Sequence, residues 1–268
     1  MHRSNNHTNV DTKFLELFVR GCRMDFTRTR SKFEAFWRVR ARYADLYQYR
    51  SLNDPPLANI LDFIQIVPLP RLTDEGLRVT VFRLLPGYPE RAADVAATVK
   101  AVLLVSDARM HDEHAIAGDI FLWDVGGARG SIVAHVASAA NALRRGVQLA
   151  HAAYPQRLKC VHVFAAPAFL ASTIQLLRSF MSETIRRRFR LHSKLEQLQE
   201  YISLRVLPSD FGGEEESLDV LSEKWRRRVG ELHDYLRNLN EITHETSVSV
   251  KEREYYGAVG AFRKLEID

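Results

Sequence analysis

The 268-residue chain is 46% hydrophobic and 10% aromatic, enough to bury one sizeable core and to exclude a wholly disordered polypeptide. Its formal charge of +5 favours anionic partners, phospholipid or nucleic acid, without choosing between them. Two cysteines, Cys22 and Cys160, exclude a disulfide framework and read as buried apolar filler in a reducing compartment.

The opening MHRSNNHTNV lacks the apolar stretch of a signal peptide. The chain is therefore expected inside the cell, with residues 1–13 as a disordered tail and the Asn6-His7-Thr8 sequon unmodified. Residues 14–23 space Phe14, Leu17 and Phe18 like a short amphipathic helix with Gly21 near its end. A second helix follows Asp25 as N-cap, with Phe33, Phe36, Trp37, Tyr43 and Tyr47 on one face and Arg28, Arg38 and Arg42 opposite. Asn53-Asp54-Pro55-Pro56 breaks the chain, and a short helix over 57–64 leads to a proline-containing turn.

From there strands alternate with helices. Strands are predicted at 77–85, 119–125 and 159–166, with FRLH at 189–192 as a fourth. Helices are predicted at 91–110, 131–152, 167–186, 194–203 and 217–240. Strands apolar on both faces between long helices imply an α/β fold with a mostly parallel sheet. The stretch 160–177 carries no Asp, Glu, Lys or Arg, but Pro167 and its polar residues favour a buried strand and helix over a membrane span.

The turn DVGGARGS at 124–131 follows a strand and opens a helix, where a dinucleotide fold would cradle a pyrophosphate. Gly127 and Gly130 supply two of the three required glycines, but the first falls on Val125, so a tight structural turn is favoured. His111-Asp112-Glu113-His114 brings no third metal ligand and reads as a solvated helix end. No nucleophile elbow is present. No catalytic residue, metal or cofactor is expected.

The informative region is 178–193, RSFMSETIRRRFRLHS. Leu170, Ile174, Leu177, Met181 and Ile185 form an apolar stripe at helical spacing, and Arg186, Arg187, Arg188 and Arg190 cluster where it ends. Arg157 and Lys159 flank the strand that feeds this helix. Aliphatic interleaving suits lipid tails better than base stacking, so nucleic acid is set aside.

YPQRLKCVHVFAAPAF at 154–169, RSFMSETIRRRFRLHS at 178–193 and LPSDFGGEE at 207–215 resemble successive signature blocks of the CRAL-TRIO (Sec14-like) lipid-binding family. The nearest branch is that of the alpha-tocopherol transfer protein, the cellular retinaldehyde-binding protein and the clavesins. Residues 14–33 also resemble the family's N-terminal helical domain. The resemblance implies an N-terminal helical domain at 14–56, a CRAL-TRIO domain at 57–215, and a C-terminal helix and tail at 216–268. It implies a sheet floor under a closed apolar cavity, with a helical lid at about 167–188.

The expected lining is Val99, Leu103, Phe121, Phe164, Phe169, Leu170, Ile174, Leu177, Phe180, Met181, Ile185 and Phe189. By position, Arg157, Lys159 and Arg188 match a basic cleft for phosphoinositide head groups, with Arg186, Arg187 and Arg190 beside them. A further basic position falls on Thr184, and the N-terminal contributor falls on Cys22 with Arg23 adjacent. Ala165 replaces an asparagine of the family pattern, and Val99 and Leu103 stand where the tocopherol binder carries serines. The expectation is a monomeric cytoplasmic carrier of a hydrophobic small molecule or lipid, docking reversibly on endosomal or plasma membranes. The alternatives are a phosphoinositide-dependent adaptor without cargo and a Rossmann-like nucleotide-dependent enzyme.

Overall fold

The computed structural model describes residues 12–47, 50–86, 95–113 and 116–240. Residues 1–11 of the expected N-terminal tail with its sequon, the start of the helix at 91, His114 and the C-terminal tail from 241 lie outside the described residues, whereas Thr12 and Lys13, expected in that tail, open the first helix. A five-stranded sheet runs in the order β1 (Ile64–Leu72), β2 (Leu77–Leu84), β3 (Gly118–Asp124), β4 (Leu158–Phe164), β5 (Phe189–His192). β1 pairs antiparallel with β2, and every later pair is parallel.

Each new parallel strand adds on the same side of the last. Because parallel crossovers are right-handed, all crossover helices must then fall on one face of the sheet. They do. α5 (Val95–Asp112) joins β2 to β3, and α6 (Ser131–Ser138) with α7 (Ala140–Ala153) joins β3 to β4. α8 (Ala171–Ser179) and α9 (Glu183–Arg187) join β4 to β5. The opposite face has no crossover to cover it. The chain's return does so through α10 (Leu195–Gln199), residues 202–211 and α11 (Leu218–Glu231), burying Val79, Val81 and Leu122 under Leu198, Ile202, Leu207 and Phe211.

The N-terminal helices α1 (Thr12–Gly21), α2 (Phe26–Arg42) and α3 (Ala44–Tyr47) pack outside α5 and α7. Phe18, Phe33, Phe36 and Trp37 meet largely edge to face, with ring centroids at 5.2 Å for Phe18–Phe33 and 5.1 Å for Phe36–Trp37. Within this apolar contact lies Arg40, fully buried, stacked 4.1 Å over Phe36 and ion-paired with Asp107 of α5. Arg50 adds a second ion pair to Asp107 at 2.7 Å, and the Tyr154 hydroxyl donates to the same carboxylate at 2.7 Å. Burial opposes the Arg40 charge, yet Asp107 outweighs it and raises the guanidinium above its ordinary pKa.

Three expectations need correction. The Pro-containing stretch after residue 64 is β1, not a turn: its two prolines sit on an edge strand, where missing N–H groups cost little, and the Pro68 carbonyl accepts a 2.7 Å bond from Trp225. The short helix before it, α4 (Pro55–Leu61), begins at the prolines, which suit a first helical turn. The helices predicted at 131–152, 167–186 and 217–240 are each interrupted, at Ala139, at 180–182 and at Leu232.

Candidate functional site

β4 alternates, as any strand must, and its two sides meet different neighbours. Val161 and Val163 face the crossover helices together with Phe121, Trp123 and Phe189. Leu170, Ile174, Met181 and Ile185 cover them from above. Trp123 meets Phe189 at 6.2 Å and Phe121 meets Phe82 at 5.1 Å, both edge to face.

This covering is incomplete. Among the described residues the cluster has five buried and ten partly buried members, whereas the cluster on the opposite sheet face has thirteen buried and five partly buried. The side chains under α8 and α9 therefore form an apolar floor that an apolar occupant could finish covering.

The structure sorts the expected lining residues. Phe121, Leu170, Ile174, Met181, Ile185 and Phe189 converge on this floor. Leu177 and Phe180 are half-buried on the same helical segment, and Phe169 is 43% exposed. Phe164 does not line it: one residue beyond Val163, it points through the sheet to the other face and meets Phe211 at 5.7 Å. Val99 and Leu103 do not line it either. They lie on the side of α5 that packs against α7 and the N-terminal helices, where Gly146 approaches Val99.

At the N-terminal end of β4 the chemistry reverses. The charges of Arg23 and Arg28 reach Arg157, and those of Arg157, Arg23 and Arg188 reach Lys159. Desolvation and then these like charges hold the Arg157 and Lys159 cations below their ordinary pKa values. No carboxylate pairs with any of the five among the described residues. Such a group lacks only an anion.

Local packing enforces the convergence. A Cβ on Gly21 would stand 2.2 Å from the Pro155 carbonyl oxygen, so the end of α1 lies directly on the 154–157 backbone. A Cβ on Gly118 would stand 2.6 Å from the Arg157 carbonyl oxygen and 2.9 Å from Lys159 Cγ, so the lysine stem crosses an open glycine. Arg157 donates to the Ala117 carbonyl at 2.8 Å. Arg188 ends α9, and its carbonyl accepts from the Cys160 thiol at 2.7 Å, pinning it beside β4. Between α1 and residues 155–157 lies a small cleft of about 40 Å³ lined by Arg20, Gly21 and Arg157.

The other expected cations go elsewhere. Arg187 is paired with Glu183. Arg190 stacks 4.7 Å over Tyr201, because β5 turns it to the face opposite Phe189. Arg186 and Thr184 are exposed on α9. Sequence reasoning missed Arg28, assigned to the far side of its helix, and named Arg23 only as a neighbour of Cys22. Cys22 itself is buried.

The remaining sequence motifs have structural partners. A Cβ on Gly127 would stand 2.1 Å from the Leu84 carbonyl oxygen, so this glycine serves a backbone-to-backbone contact. Asp112 pairs with Arg228 at 2.6 Å, and Glu113 with Arg109 at 2.6 Å. Among the described residues no three His, Cys, Asp or Glu side chains gather as a metal site, and no helix is long and apolar enough to cross a membrane.

Comparison with known proteins agrees with this architecture. The chain is 24% identical over 221 residues to the alpha-tocopherol transfer protein-like protein of Mus musculus, covering 80% of this chain and 62% of that protein. The Homo sapiens protein of the same name is also 24% identical, over 222 residues, covering 81% and 62%. The chain thus spans less than two thirds of the length of these curated relatives. The crystal structure of Sfh5 shares the fold with a TM-score of 0.55 at 13% identity, covering 78% of this chain and 74% of that one. The family model of the CRAL/TRIO domain matches residues 65–213, more than half of the sequence, and the chain therefore belongs to the CRAL/TRIO domain family.

Proposed function

We propose that this chain carries a hydrophobic small molecule or lipid on the apolar floor beneath α8 and α9, and that Arg157, Lys159 and Arg188, joined by Arg23, hold a phosphoinositide head group at the membrane. The observation that carries this reading is the half-covered apolar cluster on β3–β5, lying on the same strand as an unpaired cationic group. The name of the mouse and human relatives supports a transfer role. Enclosing roughly 400 Å² of ligand apolar surface contributes about 10 kcal/mol, similar to what a lipid loses on leaving a bilayer, so exchange runs near balance.

Cargo is tested by organic extraction of purified protein followed by mass spectrometry, and by uptake from a lipid, retinoid and sterol panel. About one ligand per chain is expected. An empty protein that takes up nothing sinks the carrier reading and leaves a phosphoinositide-dependent adaptor. The head-group site is tested by R157E/K159E/R188E, which should abolish binding to phosphoinositide vesicles while cargo uptake persists.

A further inference from the structure

The turn between α1 and α2 combines two features that seldom coincide. Arg23 and Met24 both hold left-handed backbone, with φ of 59° and 60°, a conformation that disfavours every side chain at these positions relative to glycine. The turn is nonetheless tied down by hydrogen bonds. The Met24 amide donates to the Val19 carbonyl at 2.9 Å, and Asp25 accepts from the Arg28 amide at 2.9 Å. Large side chains kept at a strained position invite a functional reading.

Two apolar side chains stand out of this turn, on either side of the exposed Asp25, whose carboxylate is turned to the Arg28 amide. Met24 is 63% exposed and Phe26 is 53% exposed, in a chain whose other aromatic rings around α1 and α2 are packed inward. On either side in sequence stand Arg23 and Arg28, the two residues whose charges reach Arg157. An apolar pair flanked by unpaired cations matches the outer layer of an anionic bilayer, where acyl chains lie just beneath phosphate.

We infer that Met24 and Phe26 form a membrane wedge that inserts among the acyl chains while the adjoining cations engage anionic head groups. This rests on the head-group reading of Arg157, Lys159 and Arg188. The head-group contact supplies orientation and the wedge supplies residence, since apolar burial is unaffected by the salt that screens the cations.

The test uses the full chain, phosphatidylcholine vesicles with and without phosphatidylinositol bisphosphate, and soluble inositol trisphosphate. M24S/F26S should bind the bisphosphate vesicles at least about tenfold more weakly, on the order of 1.4 kcal/mol, and bind inositol trisphosphate like wild type. M24L/F26L should retain vesicle binding, and a tryptophan placed by Phe26→Trp should be quenched by brominated acyl chains. Equal vesicle binding by wild type and M24S/F26S, or absence of quenching, overturns the wedge alone. A fall in unfolding temperature or in inositol trisphosphate affinity in M24S/F26S also overturns it, because the pair is then covered by protein. Failure of wild type to bind either probe overturns the head-group reading together with the wedge.

Discussion

Ala165 lies just past β4 with φ of 54°, a left-handed position that an alanine occupies at a cost of about 1 kcal/mol relative to glycine. The family pattern places asparagine there, one of the few side chains that tolerates this backbone. A165G should therefore raise the denaturant midpoint by the equivalent of about 1 kcal/mol, and an unchanged midpoint refutes the strain. His162 presents a second residue-scale case. It is buried, stacked on His192 with Nδ1 and Nε2 2.8 Å apart, so that one ring donates and the other accepts. Desolvation, His192 and Arg190 lower its pKa to about 4 from 6.5. The unfolded chain takes up a proton below 6.5 that the folded chain refuses. Stability is thus full above that pH and falls by up to about 3 kcal/mol as pH drops toward 4. Thermal unfolding from pH 7 to 4 should show this loss, and H162Q should flatten it; an unchanged slope in the variant assigns the acid lability elsewhere.

At the scale of elements, the parallel strands were legible because β3 and β4 are apolar on both faces, a pattern only a doubly covered sheet produces. β1 was not, since Pro68 and Pro70 read as breakers and only the edge position makes them harmless. Helix periodicity ran straight through 180–182, because a stripe continues in phase across a short break. Ser182 in fact caps a new helix by accepting from Ile185 N. Val99 and Leu103 were placed by resemblance to family positions, and nothing in the apolar pattern of α5 could correct this, since a helix between two cores has no single apolar face. Arg40 could have been found, as it follows Phe33 and Phe36 at spacings of three and four on the buried stripe. Its partner Asp107, far along the chain, could not. The join of α1 to residues 154–157 was equally invisible, and it yields an element-scale prediction. Alanine normally stabilises a helix over glycine by roughly 0.5–1 kcal/mol. G21A should do the reverse, by about 1–3 kcal/mol, because its methyl meets the Pro155 carbonyl, and it should weaken phosphoinositide binding by moving Arg23. A stabilised G21A would refute that contact.

For the molecule as a whole, charge placement separates specific from diffuse attraction. R38E/R42E/R227E changes net charge as much as R157E/K159E/R188E but leaves the unpaired group intact. It should weaken adsorption to any anionic vesicle without abolishing phosphoinositide preference, and raising the salt should erase its effect sooner. Equal loss in both triple variants reduces the cleft to a generic basic surface. Arg28 is unsuitable as such a control, since its charge reaches Arg157.

The same long-range packing governs the order in which the protein can be made. Lys32 of α2 donates to the carbonyl of Tyr154, 122 residues later, and the rings of Phe14, Phe33 and Phe36 share a core with Leu149 and Tyr154. At roughly 5–20 residues per second of synthesis, the N-terminal aromatics wait about 6–24 s for the surface that covers them. The segment that leaves the ribosome early is thus among the last to settle, and during that interval its survival depends on what the cell offers to shield it.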